Sequence, residues 1–266
     1  MLNIDNIICK NDENFNAFIS FCMKNVRFFS FFIANTKYST HPNERIEMLE
    51  IYTDSFNQDQ CSKINRLPTL SQGLPNNYIY RENGVEFGLV QIRYPEHIEL
   101  LHRWMNMPHV IPQWQLNKSL SELSVYFEKM LADDHQRLYL VSINGEWVGY
   151  AEVYEGARDR LSGYYTADKN DLGWHLLLAE AQAVGKGYLR AIMRLLSFFI
   201  FEHSPAKKIV GEPDASVKPY EVVAQELNYM PQYQIVMPEK TAMLYFCDKE
   251  GFYCKFAHYL NASIKE

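Results

Sequence analysis

Apolar residues along this chain switch between a period of two and a period near 3.6, and the switches mark out its elements. Phe87 to Arg93 reads as a strand, with Pro95 placed to open the next element. From Glu96 to Asn106, Ile98, Leu101 and Met105 fall at helical spacing until Pro108 ends the run, and Trp114 follows in a loop. A second stripe, Leu120, Leu123, Phe127 and Leu131, predicts a helix capped by Ser119 or Ser121. Arg137 to Ile143 and Glu146 to Tyr154 are strands joined by Asn144-Gly145, the strongest local hairpin signal in the chain.

A polar, tyrosine-bearing connection (155–170) leads to a strand from Leu172 to Leu178, a glycine-punctuated turn, and an apolar helical run through Phe201. Ile209 and Val210 mark a short strand, and a helix from Lys218 to Leu227 follows. Strands at Tyr233 to Met237 and Met243 to Cys247 are paired across Pro238-Glu-Lys. The order β-α-α-β-β-β-α-β-α-β-β is that of an α+β domain. A doubly wound parallel sheet needs a helix between most strands, so the hairpin at Asn144 calls for a mixed α/β sheet.

This domain is expected over 86–248. Residues 1–85 read as an N-terminal extension or small accessory subdomain: 15–35 is aromatic-rich, and 36–77 is polar and broken by Pro42, Pro68 and Pro75. Residues 249–266 read as a C-terminal tail packed on the domain. With 266 residues, 47% of them hydrophobic, the chain can bury a real core. A net charge of -6 and scattered lysines and arginines argue against a nucleic-acid partner. Five cysteines with no C-x-x-C pair point to free thiols in a reducing compartment. The N-terminus has no signal-peptide pattern, and the longest apolar run, from Leu195 to Phe201, is too short to span a bilayer. A cytoplasmic protein with no membrane partner is the expectation.

The stretch from Asp171 to Met193 organises the rest. In it, Gln182-Ala-Val-Gly185-Lys-Gly187 opens the long helix, where backbone N–H groups at 184–188 point out of the helix start and favour an anion. Two glycines let the backbone approach a diphosphate closely. The third glycine of the dinucleotide fingerprint and the Gly-Lys-Ser/Thr of the P-loop are both missing. A helix start that has glycines only because the chain turns sharply fits the same residues. The turn closely resembles that of the GNAT superfamily of N-acetyltransferases, where it cradles the pyrophosphate of an acyl-coenzyme A. The strand order is similar to the GNAT fold, a mixed sheet whose two central parallel strands splay apart to admit coenzyme A.

Further segments carry a narrower likeness: Trp104-Met-Asn106, Pro108-His-Val110, Trp114, Gly173-Trp-His175, Glu212-Pro-Asp214 and Pro238-Glu-Lys-Thr-Ala242. Together they resemble the branch that acylates hydroxamate siderophore precursors, over roughly residues 95–248. That branch acts on N6-hydroxylysine in aerobactin synthesis, on N-hydroxylated diamines in alcaligin-type pathways and on lysine in mycobactin synthesis. Ser216-Val217 stands where the branch commonly has Arg-Asn, and Asn228-Tyr229 where it tends to have Gly-Phe. The resemblance implies acyl-CoA, acetyl or succinyl, as cosubstrate, with no permanently bound cofactor and no metal. It implies a small-molecule acceptor, the N-hydroxylated or free side-chain amine of lysine or a diamine, attacked directly in a ternary complex. It also implies a monomer or homodimer linked functionally to an N-hydroxylating monooxygenase and a siderophore synthetase.

His175 and Asp214 are similar to the branch's proposed catalytic pair. On the strand from 172 to 178, Gly173, His175 and Leu177 share one face and Trp174, Leu176 and Leu178 the other. An unperturbed imidazole, with a pKa of about 6.5, accepts a proton at neutral pH, and Asp214 would fix its tautomer or bind the nucleophile. A core histidine satisfied by one carboxylate is the plainer alternative. Gln182, Val184, Gly185, Lys186, Gly187 and Tyr188 are expected at the diphosphate; the resemblance puts the fold's thiolate-protonating tyrosine near Ala224, and Tyr220, one turn earlier, is expected on the coenzyme side only with that helix shifted. Trp104, His109 and Trp114 would wall an acceptor channel, and Arg158 and Arg160 would meet a carboxylate on the acceptor or the acyl group. Core tryptophans and a solvated arginine cluster are the alternatives.

Two other functions fit these residues. One is GNAT transfer to a different amine, on an aminoglycoside, a polyamine or a protein. The other is a catalytically degenerate CoA-binding module. Metal hydrolysis and serine hydrolysis lack their motifs, H-E-x-x-H and Gly-x-Ser-x-Gly.

Overall fold

A computed structural model describes residues 69–180, 183, 187–215, 218–238 and 240–263. The aromatic-rich segment 15–35, and with it most of the expected extension, lies outside them. Eight strands among the described residues form one sheet in the order β1-β2-β3-β4-β5-β6-β8-β7. They are β1 Asn77–Glu82, β2 Val85–Gln91, β3 Gln136–Ile143, β4 Glu146–Glu155, β5 Leu172–Leu178, β6 Lys208–Gly211, β7 Tyr229–Val236 and β8 Thr241–Asp248. Neighbours are antiparallel except β5 and β6, which run parallel. The sheet is mixed, as the hairpin at Asn144 requires.

Alternation along the strands sorts the helices into two layers. Helices α1 Ile98–Met105, α2 Ile111–Trp114 and α3 Leu120–Ala132 pack on the face that carries Leu138, Leu140, Tyr150 and Leu177. Helices α4 Tyr188–His203, α5 Lys218–Glu226 and α6 Lys249–Ser263 pack on the face that carries Tyr139, Val141, Val153 and Trp174. Ser119 is the cap of α3: its hydroxyl accepts from the Glu122 N–H, and the Glu122 carboxylate accepts from the Ser119 N–H at 3.0 Å.

Three elements depart from the expected pattern. The sheet starts before residue 85, because β1 pairs with β2 through a hairpin at Asn83-Gly84. Those residues have φ of +52° and +72°, the turn chemistry also seen at Asn144-Gly145 with +50° and +83°. A boundary at 85 therefore cuts between two paired strands. The segment after 248 is a helix, α6, which packs against β1 and β8 and buries Phe252 and Phe256. Trp114 closes the short helix α2 rather than lying in a loop.

The pairing of β5 with β6 is brief. Only Leu172–Ile209 and Gly173–Val210 are partnered, although β5 continues along β4 to Leu178. Pro213 ends β6, and the chain beyond turns toward β8: the Met243 N–H donates to the Pro213 carbonyl at 2.9 Å, and Asp214 bridges Ala242. From Trp174 onward, β5 has no partner on β6 among the described residues. The sheet opens there.

Candidate active site

His175 lies at the mouth of this opening, two residues past the last parallel pair. Glu152 sits directly opposite it across the β4–β5 ladder, so the two side chains leave the sheet on the same face. Nδ1 of His175 is 2.9 Å from Oε2 of Glu152, and Nε2 is 3.4 Å from Oε1 of Glu212, the residue after β6. Two tyrosines from the same face of β4 complete the group. Tyr150 donates its hydroxyl to Oε1 of Glu152 at 2.6 Å, and Tyr154 donates to Oε2 of Glu212 at 3.0 Å. The Tyr154 ring also stacks on the imidazole, with centroids 4.7 Å apart. Residue 173 must be glycine because the Tyr154 ring occupies the space a Cβ would take.

The group is buried and charged, so each charge depends on its neighbours. Burial opposes the imidazolium, but the bonds to Glu152 and Glu212 and their negative charges prevail and push His175 up to about 9. Burial likewise opposes the Glu212 carboxylate, yet the Lys240 ammonium, the bond to His175 and the Arg160 charge hold it down to about 2. Lys240 donates to the Glu212 backbone carbonyl and lies 4.0 Å from its Oε1. Asp159 is raised by burial and by the nearby Glu212 charge. An imidazole titrating at its ordinary value, the premise for a resting base, is therefore not what the fold presents.

The ring nitrogens bond Glu152 and Glu212; Asp214 stands two residues further on, half-buried, past the end of β6. Gly187, at φ +77°, is the N-cap of α4, and Tyr188 is that helix's first residue with its ring edge-on to Phe87. Gln182, Val184, Gly185 and Lys186 lie outside the described residues, and Tyr220 is placed only as a backbone position in α5.

The expected acceptor wall is not a wall. Trp104 and Trp114 are fully buried; Trp104 donates its indole N–H to Glu180 at 2.8 Å, and Trp114 packs edge-on to Tyr150. His109 bonds the Ala179 carbonyl through Nε2 at 2.9 Å. The two tryptophans share the apolar cluster that α1, α2 and α3 form with Leu138, Leu140, Tyr150 and Leu177, and His109 holds the carbonyl just after β5. Arg158 pairs with Asp134 and Glu155, and the Arg160 charge acts on Glu212 and Asp159, so carboxylates of the protein itself meet both arginines.

Glu152, Tyr154 and Lys240 were not singled out by sequence. Glu152 had a signal, an acidic residue in the middle of the apolar run Tyr-Ala-Glu-Val-Tyr; Glu212 and Lys240 fell inside segments already noted. Trp174, His175, Val210, Gly211, Glu212, Pro213 and Tyr229 line a narrow cleft at the opening. A wider surface cavity of about 440 Å³, lined by Leu100, Arg103, Met107, Glu146, Trp147 and Glu180, lies at the other end of β5. Among the described residues, no cluster of His, Cys, Asp and Glu is arranged to hold a metal, and no helix is long and apolar enough to cross a membrane.

Residues 93–237 match the acetyltransferase (GNAT) domain family. The chain is 54% identical over 191 residues to N-hydroxyputrescine acetyltransferase of Acinetobacter baumannii, covering 72% of this chain and 91% of that one. It is 26% identical over 156 residues to N(6)-hydroxylysine O-acetyltransferase of Escherichia coli, 58% of this chain and 50% of that one. Among solved structures, an uncharacterised protein of Bacillus halodurans superposes with a TM-score of 0.65 at 25% identity, over 72% of this chain and 97% of that one.

Proposed function

This chain belongs to the acetyltransferase (GNAT) domain family and is an acyl-CoA-dependent N-acyltransferase; we propose that its acceptor is an N-hydroxylated diamine, N-hydroxyputrescine before others. The observation that carries the transfer chemistry is the opening of β5 from β6 at a buried histidine held between two glutamates. The acceptor rests on the 54% identity to a protein named for that substrate.

In this reading the thioester enters the gap beside β5. Backbone N–H groups past Gly173 that lack a β6 partner are the natural donors to the oxyanion. The left-handed Gly187 and the start of α4 suit a diphosphate, since the helix begins with open N–H groups. The acceptor nitrogen attacks the thioester carbon directly, with no covalent enzyme intermediate. His175 and Glu212 flank that point and handle its protons, with Asp214 close by in sequence.

A hydroxylamine suits the site because it is far less basic than an alkylamine, whose pKa of about 10.4 leaves it charged and without a lone pair at neutral pH. The narrow cleft favours acetyl over succinyl. Such an enzyme would take its acceptor from an N-hydroxylating monooxygenase, pass the hydroxamate to a siderophore synthetase, and work in the cytoplasm beside the acyl-CoA pool.

The test follows free thiol release from acetyl-CoA and succinyl-CoA with N-hydroxyputrescine, N-hydroxycadaverine and N6-hydroxylysine, each beside its unhydroxylated counterpart. Turnover that needs the N-hydroxyl and collapses in His175→Ala supports the reading. Turnover on plain amines alone would move the enzyme to another acceptor class, and coenzyme binding without turnover would make it a degenerate module.

A further inference from the structure

We propose that Glu152 is a positioning residue that holds His175 as an imidazolium, so that Nε2–H serves as a proton donor and only acceptor nitrogens that arrive uncharged are used. The inference rests on the transfer reading above and adds the charge state of the site to it.

Each ring nitrogen faces a carboxylate oxygen, Nδ1 toward Glu152 and Nε2 toward Glu212. Each of those carboxylates already receives a tyrosine hydroxyl on its other oxygen, from Tyr150 and Tyr154, so both act as acceptors. A neutral imidazole would set a lone pair against one of them. With both carboxylates ionised, only the doubly protonated ring satisfies both sides.

The surroundings agree from every element. Strand β4 contributes Tyr150, Glu152 and Tyr154, and the end of β6 contributes Glu212. The β7–β8 connection brings Lys240, and the connection before β5 brings Asp159 and Arg160. Three carboxylates thus face an imidazolium, an ammonium and a guanidinium, and this group, buried except for the half-buried Asp159 and Arg160, is neutral overall when His175 is charged. The Tyr154 ring stacked at 4.7 Å adds a favourable face for a cation.

The two contacts differ in a way that assigns the roles. The bond to Glu152 is short and lies within the sheet, whereas the contact to Glu212 spans 3.4 Å across the opening. Nδ1 is the anchored nitrogen and Nε2 the working one. The step then balances. The acceptor nitrogen forms the new C–N bond, the C–S bond breaks with its electron pair going to sulfur, and Nε2–H supplies the proton that makes the free thiol. The N–H proton of the attacking nitrogen, strongly acidic once that nitrogen is bonded to carbon, passes to Glu212 and from it restores His175. An alkylammonium has no lone pair to attack with, and an imidazolium cannot take its proton.

Ring ¹⁵N NMR of His175, in the unmodified protein without substrate, tests the charge state apart from any assumption about the acceptor. Two protonated nitrogens at pH 7 are expected, and a lone-pair nitrogen there would overturn the proposal. Kinetics in Glu152→Gln test the role of Glu152. The alkaline limb of kcat/KM for N-hydroxyputrescine is expected to move down by at least one pH unit, and the preference for N-hydroxyputrescine over putrescine to shrink at least tenfold. A variant that folds, loses activity uniformly and keeps both the limb and the preference would reduce Glu152 to a structural residue. If N-hydroxyputrescine is not turned over at all, the acceptor reading fails while the NMR result still decides the charge state.

Discussion

Replacing Gly173 by alanine should damage catalysis far more than folding. A Cβ at this position would lie 2.2 Å from Tyr154 Cζ, 2.4 Å from its hydroxyl oxygen and 2.6 Å from Cε2. The nearest of these contacts must open from 2.2 Å to at least 3.4 Å, a displacement of about 1.2 Å. Tyr154 is fully buried between β4 and the Val210–Leu244 cluster, so its ring has no free space to take up the shift. Overpacking of this kind costs about 2 kcal/mol, roughly 4–8 °C in Tm for a domain of this size. The moved ring is the one that stacks on His175 and bonds Glu212, so both groups lose their alignment. Misplacement of about 1 Å lowers kcat by about 100-fold. Gly211→Ala is the control: it lines the same cleft, has nothing within 4 Å of its would-be Cβ, and should keep the native Tm. The assay is thiol release from acetyl-CoA with N-hydroxyputrescine, beside thermal melting. Native kcat in folded Gly173→Ala would refute the idea that Tyr154 aligns the histidine.

Other outcomes follow from the same contacts. Ser119→Ala removes the hydroxyl half of the capping box, leaving the backbone N–H bond to Glu122, and should cost about 1 kcal/mol, read as a lower Tm with kcat unchanged. Lys240→Met leaves the buried Glu212 carboxylate without its ammonium and should destabilise the fold by about 3 kcal/mol in denaturant titration. Stability should also depend on pH in a defined way. His175 is raised from 6.5 to about 9, so its contribution is complete below pH 6.5 and is lost as pH rises toward 9. Glu212 is lowered from 4.5 to about 2, so its contribution is complete above pH 4.5 and is lost as pH falls toward 2. Melting curves should therefore peak between about pH 4.5 and 6.5, and His175→Phe should flatten the alkaline slope.

Local pattern exposed most of the fold. Strand β5 runs from Leu172 to Leu178 as its alternation indicates, and the Asn144-Gly145 hairpin lies where the turn residues put it. Strand β1 escaped because it is an edge strand whose outward residues include the exposed Ile79, which blurs the alternation. Helix α6 escaped although Phe252, Phe256 and Tyr259 fall at helical spacing on its core face, because the tyrosine, cysteine and alanine on its other faces leave little contrast between the two sides. A departure noted in sequence gains a physical account: Asn228 sits at φ +65°, where glycine is favoured and asparagine tolerated, and the Tyr229 hydroxyl accepts from the Trp174 indole at 2.8 Å.

The site divides along the same line. His175 was legible because a polar residue in an apolar strand stands out. Its partners depend on cross-strand register and on how far β6 runs beside β5, both long-range facts that no local window contains. Trp104 and Trp114 show the converse. Their place in segments that resemble the siderophore branch suggested a binding wall, and only the packing of α1 and α2 reveals that both rings face the core.

The most direct test of this account is a crystal structure with coenzyme A and the N-acetyl-N-hydroxyputrescine product. It should place the coenzyme sulfur and the hydroxamate in the gap between β5 and β6, with a hydroxamate atom within about 3 Å of His175 Nε2. A hydroxamate seated instead in the cavity of Arg103, Trp147 and Glu180, at the far end of β5, would contradict it.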